Sequence, residues 1–150
     1  MTETSTANRT FFATIPVADV ARSTAFFEAL GFVFDPAFAS EGSACFNISE
    51  HTRVMLLARD TFAQISHLPV GDPTKEMLAT YTFGVDSKEA VDAVGAAALA
   101  AGGREADGAE DHGFMYTRSF FDLDGHGWQV MWMDPAAAQP APQDEVAASA

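Results

Sequence analysis

"TFFATIPVADVARSTAFFEALGF", residues 10–32, is the stretch whose reading decides the fold. Thr10 to Val17 is rich in residues that suit a pleated strand, and Asp19 stands where a helix N-cap belongs. Val20, Phe27 and Leu30 fall at i, i+7 and i+10, which places one apolar stripe along the helix, and Gly31 supplies the stop. Three strands are expected next, at residues 32–34, 43–49 and 53–59, with a turn at 50–52.

The same order returns in "ATYTFGVDSKEAVDAVGAAALAAGG", residues 79–103. Residues 79–85 read as a strand, Asp86 with Glu89 resembles a capping box, and Val91, Val94 and Ala98 make the buried stripe of a helix that Gly102 and Gly103 end. A short strand near 104–106 precedes strands at 114–121 and 128–133. The last two are joined by the turn-forming run DLDGHG, residues 122–127. The chain therefore reads β-α-β-β-β twice, offset by roughly 70 residues, a spacing that suggests duplication. The expected fold is α+β, with modules at about 9–60 and 78–135, a linker at 61–77, and a single domain over 9–135. Eight strands are too many to stay flat, so they are expected to form one curled mixed sheet with the helices on its outer face and a concave trough inside. Such a trough suits a small molecule. Residues 1–8 and 136–150 lack apolar periodicity and read as disordered tails.

Composition narrows the function. Against 8 Lys and Arg stand 21 Asp and Glu, a formal charge of −13, which repels phosphate backbones and anionic lipid and argues against nucleic-acid or membrane partners. Cys45, the only cysteine, excludes an intrachain disulfide and a thiolate metal cluster. No stretch reads as a signal peptide or a membrane span, so a cytoplasmic location is expected.

Several ordered motifs carry a resemblance. Ile15-Pro16-Val17-Ala18-Asp19-Val20 runs into Ser23 to Phe27 and Leu30-Gly31-Phe32, Val85-Asp86 opens the second helix, and Phe121-Asp122-Leu123-Asp124-Gly125-His126 precedes the last strand. Together they resemble the vicinal oxygen chelate superfamily, which includes glyoxalase I, extradiol dioxygenases, fosfomycin-modifying enzymes and bleomycin-resistance proteins. Asp111-His112-Gly113-Phe114-Met115-Tyr116 and Trp132-Met133-Asp134-Pro135 look like a bacterial glyoxalase-related subgroup.

The metalloenzymes of this superfamily hold a divalent ion with His, Glu or Gln from the first and last strands of each half. Carried over by position, the resemblance puts those ligands at Phe12, Met55, Thr80 and Gln129, of which only Gln129 is a plausible donor. A catalytic ion typically needs three protein ligands. We therefore expect no metal cofactor. The resemblance instead implies a metal-independent small-molecule binding or sequestration protein of the bleomycin-resistance type, working as a homodimer, with no catalytic residue assigned. The expected ligand-contacting residues are Phe12, Met55, Thr80, His112, Phe114, Tyr116, Gln129 and Met131. The alternative is a metal-dependent lyase or dioxygenase related to glyoxalase I with a rearranged ligand set, such as Asp111, His112, Asp124 and His126, which requires two loops to converge.

Overall fold

The computed structural model describes residues 9–137. Strand β1 (Phe11–Val17) leads into Asp19, whose carboxylate accepts the Arg22 N–H at 3.0 Å and so starts helix α1 (Val20–Ala29). Gly31, at φ 99°, turns the chain in a conformation that a Cβ disfavours. Strands β2 (Ser43–Ser49) and β3 (Thr52–Ala58) form a hairpin, and helix α2 (Arg59–Ile65) follows directly. After the connecting segment come β4 (Thr80–Gly84), helix α3 (Lys88–Ala100), β5 (Arg104–Asp111), β6 (Met115–Phe121) and β7 (Gly127–Met133).

The fold class is α+β, but the described strands form two hydrogen-bonded sheets, not one of eight strands. The first has order β1-β3-β2 and the second β4-β7-β6-β5, with β1 parallel to β3 and β4 parallel to β7. The expected strand at 32–34 shrinks to one bridge between Phe34 and Phe46, flanked by bonds from Asp35 N–H to Cys45 C=O and from Asn47 N–H to Val33 C=O. The Gly31 turn on one side and Pro36, which opens a 3-10 turn, on the other leave too few residues for a full ladder. Two further expectations are corrected. Helix α2 takes Arg59 from the end of the strand expected at 53–59 and runs into the segment read as a linker, and α3 is capped by Ser87, whose hydroxyl accepts the Ala90 N–H at 3.0 Å, rather than by Asp86. Residues 1–8 and 138–150 of the expected tails lie outside the described residues, and Ala136 and Ala137 belong to a turn begun by Asp134.

One core joins both halves. Ile15, Val17, Val54, Leu56 and Phe46 from the first sheet meet Phe83, Phe120, Trp128 and Val130 from the second across α1 and α3. Phe27 is its hub: its ring lies 4.7 Å from Phe46 and 5.1 Å from Trp128, bridging the two sheets. Truncating such a buried ring to alanine typically costs about 3–5 kcal/mol. The alternate residues of each strand face away from the helices, and the site must be sought among these.

Candidate functional site

Strand pairing decides which side chains share a face. In the first sheet, Phe12 pairs with Arg53, Thr14 with Met55, and Asn47 and Cys45 join them from β2, all on the face opposite the core. Phe12 is 40% exposed and meets the Phe38 ring at 5.9 Å. Arg53 lies beneath that ring and donates to Asp35 at 2.9 Å. Asp35 is held below its ordinary range, first by the Ala37 N–H and then by Arg53. Asn47 Oδ1 and Arg53 Nε are buried without partners. They belong to directly paired residues and are complementary, an acceptor and a donor. Sequence reading passed over Arg53, although its two-residue spacing from Met55 places both on one face.

In the second sheet, Gln129 pairs with Thr82 and Ser119, Met131 with Gly84 and Thr117, and Gly127 with Thr80. Thr80, Gln129 and Met131 therefore share the face away from the helices, as expected. The only described side-chain bond of Gln129 is a long one, 3.5 Å from Nε2 to the Ser119 hydroxyl. Thr80 donates to the Met77 sulfur, also at 3.5 Å.

Tyr116 belongs elsewhere. It pairs with Trp132 on the helix side, and its hydroxyl donates to Asp92 of α3 at 2.8 Å. Arg118 does the same, donating to the Asp92 carbonyl and to Glu105. Tyr116 and Arg118 do alternate on one face, but α3 covers it. His112 and Phe114 stand at the exposed β5–β6 turn, where His112 lies 3.3 Å from Glu110 and Phe114 is 50% exposed.

The eight expected contact residues thus fall into four places: one pair on the first sheet, three on the second, two at a turn, and Tyr116 under a helix. The rearranged metal set also comes apart. Asp111 and His112 sit at one end of β6, Asp124 and His126 at the other, roughly 20 Å away for a strand of this length. Asp111 is bound by Lys88 at 3.0 Å and by the Gly113 N–H.

The four positions that the resemblance marks for metal do not fit a divalent ion. They offer a phenyl ring, a thioether, a hydroxyl already turned to sulfur, and one amide, whereas such ions take several imidazole, carboxylate or thiolate donors. No group of three His, Cys, Asp or Glu lies together in a way that could hold an ion among the described residues.

The run 122–127 has a structural task. The buried Asp122 carboxylate accepts from the Trp128 indole at 3.0 Å and from the N–H groups of Asp124 and His126. Burial pushes its carboxyl above the usual range, against the pull of His126 and these donors. The turn so formed reaches the first module: Asp124 accepts from the Ala18 N–H at 2.7 Å and the Ser23 hydroxyl at 3.3 Å, and His126 Nε2 lies 2.7 Å from the Pro16 carbonyl.

Two concavities accompany these faces. One, of 540 Å³, runs between α1 and residues 34–45 and is lined largely by small and apolar side chains. The other, of 260 Å³, lies where residues 66–79 cross the junction of β1 with the 122–127 turn. No helix among the described residues is long and apolar enough to cross a membrane.

Comparisons with known proteins agree with this architecture. Residues 9–49 match the family model described as bleomycin resistance protein-like N-terminal. A hypothetical protein from S. aureus is similar with a TM-score of 0.71 and 24% identity, over 83% of this chain and 93% of that one. A glyoxalase/bleomycin resistance protein/dioxygenase family enzyme from Burkholderia phytofirmans gives 0.68 and 19%, over 81% and 96%. A glyoxalase-related enzyme from Fulvimarina pelagi gives 0.70 and 16%, over 83% and 88%. No curated protein matches the sequence. Likeness at these identities concerns the fold, since activity resides in the site.

Proposed function

We propose, from the premise that this chain has the vicinal oxygen chelate fold, that it binds a small molecule without a metal and sequesters it as a homodimer. The observation that carries this reading is the donor chemistry at the positions where metalloenzymes of the superfamily keep their ligands. Phe12, Met55 and Thr80 leave Gln129 as the only strong neutral donor, so the surface suits contact and hydrogen bonding rather than coordination. Gln129, held by one long bond to Ser119, keeps amide capacity for a ligand, and Met131 and Met55 supply adaptable apolar area. The dimer is expected from the resemblance, and Phe12, exposed on its sheet face, is apolar surface that a second subunit would cover.

Elemental analysis of protein purified without chelator is the direct test, paired with light scattering at micromolar concentration. The expected results are metal well below one equivalent and a dimeric mass. Stoichiometric Ni, Zn, Mn or Fe would overturn the reading in favour of a metal-dependent lyase or dioxygenase, and a monomer would remove the intersubunit site.

A further inference from the structure

We propose that the 260 Å³ cavity at the junction of the two modules is a second binding site, built for a neutral aromatic molecule of about ten non-hydrogen atoms bearing one hydroxyl. Gln129 does not line it, although Gly127 and Met77 of its wall adjoin the Thr80 end of the face that carries Gln129. Pro16, Phe62, Met77, Leu78, Tyr81 and His126 line it, from β1, α2, the connecting segment, β4 and the β6–β7 turn, so it exists only because both modules meet there. At roughly 30 Å³ per water molecule, the space corresponds to about nine waters, enough for a two-ring ligand.

The wall chemistry selects the ligand. Met77, about half exposed, presents apolar surface that a ring lying in the cavity would cover. Phe62 and Tyr81 present ring faces or edges. Two polar groups also border the space, and neither has a side-chain partner there among the described residues. A carbonyl can only accept, so His126 donates from Nε2 to Pro16, and in that tautomer Nδ1 is the ring's acceptor. The Tyr81 hydroxyl makes no described hydrogen bond; burial, then Asp122, raises its ionisation point and keeps it a neutral donor. A single ligand hydroxyl can donate to Nδ1 and accept from the phenol. Charge gives the remaining selection. The exposed carboxylates Asp72 and Glu76 border the cavity, but Lys75 and Arg59 act on Asp72, so there is no strong pull on a cation and a clear penalty for an anion on a chain of net charge −13.

Titration calorimetry of the full chain with 2-naphthol, 2-methoxynaphthalene and 2-naphthoate tests the proposal. We expect 2-naphthol to bind with a Kd on the order of 0.1–1 mM, and the methyl ether and the acid to bind at least about five-fold more weakly. Tyr81→Phe should weaken 2-naphthol roughly 2- to 10-fold, and Met77→Trp, which fills the space, should abolish binding while the far-ultraviolet circular dichroism remains that of the folded chain. Gln129→Ala should leave 2-naphthol binding unaltered, which separates this site from the one proposed above. Absence of 2-naphthol binding, equal binding of its methyl ether, or binding that survives Met77→Trp but is lost in Gln129→Ala would overturn the proposal.

Discussion

Replacing Asp122 by alanine removes a buried acceptor that serves three donors at 2.9–3.0 Å. Two of them, the N–H groups of Asp124 and His126, lie in a turn where water can substitute. The third, the indole N–H of Trp128, is inside a residue only 2% exposed and has no second acceptor among the described bonds. An unsatisfied buried donor costs about 1–3 kcal/mol, and two partly replaced bonds add about 1 kcal/mol, giving about 3 kcal/mol in all. For a chain of this length that lowers the thermal midpoint by roughly 6–12 °C. Urea unfolding followed by tryptophan emission measures it directly, because Trp128 is the donor that loses its partner. The pH dependence has a defined sign. Burial raises the folded-state ionisation point above 3.8, so the contribution of the carboxyl is fullest below 3.8 and declines as pH rises through the raised value. The gap between wild type and Asp122→Ala is therefore expected to narrow from pH 4 to pH 7. A loss below about 1 kcal/mol, or a gap that widens over that interval, would refute the account, the second by showing that the three donors outweigh burial.

Asp124→Ala should cost about 1–2 kcal/mol through its bonds to Ala18 and Ser23, and a double-mutant cycle with Ser23→Ala should show positive coupling in chemical denaturation. Gly103→Ala would set a Cβ 2.7 Å from the Phe121 carbonyl and 2.9 Å from that of Ala98, both backbone atoms that cannot step aside, so a loss of about 1–3 kcal/mol is expected by the same measurement. Asp35 behaves oppositely to Asp122 in acid. Its carboxyl is depressed below 3.8 by the Ala37 N–H and Arg53, so its stabilisation is present above 3.8 and fades as pH falls through the folded value. The stability gap between wild type and Asp35→Asn should accordingly close below pH 3.8, as seen in acid titrations followed by circular dichroism.

Much of the fold was legible because its punctuation is local. Asp19 caps α1 through its own side chain, and Gly31 and Gly102 stop helices at φ 99° and 104°, needs that a single residue states in the sequence. Helix α2 carries no such mark: its N-cap, Ala58, makes no side-chain bond, and seven residues are too few to display a period. Ser87 and Asp86 are adjacent and chemically alike as caps, so only the observed bond to Ala90 separates them. The strand expected at 32–34 failed for want of length between a glycine turn and a proline, a matter of chain geometry rather than of β propensity.

The candidate site was less legible for a reason that lies in strand register. Alternation along β6 groups Tyr116 with Arg118, and alternation along β7 groups Gln129 with Met131, but neither pattern says which group of one strand faces which group of the other. The link between them is the run 122–126, whose length and internal bonds to Asp122 pair Ser119 with Gln129 and Phe120 with Trp128. That pairing sends Tyr116 to the side of Trp132, where Asp92 receives its hydroxyl, and leaves Gln129 among Thr82, Ser119 and Thr117. The same buried carboxylate that anchors the turn therefore also decides the chemistry of the open face. Had the turn been one residue shorter or longer, Gln129 would lie opposite Arg118 or Phe120; as built, it lies opposite Ser119, and the amide stands among hydroxyls and thioethers. A ligand for that face must satisfy one amide and several alcohols while covering methionine, a demand set by register and met without coordination chemistry.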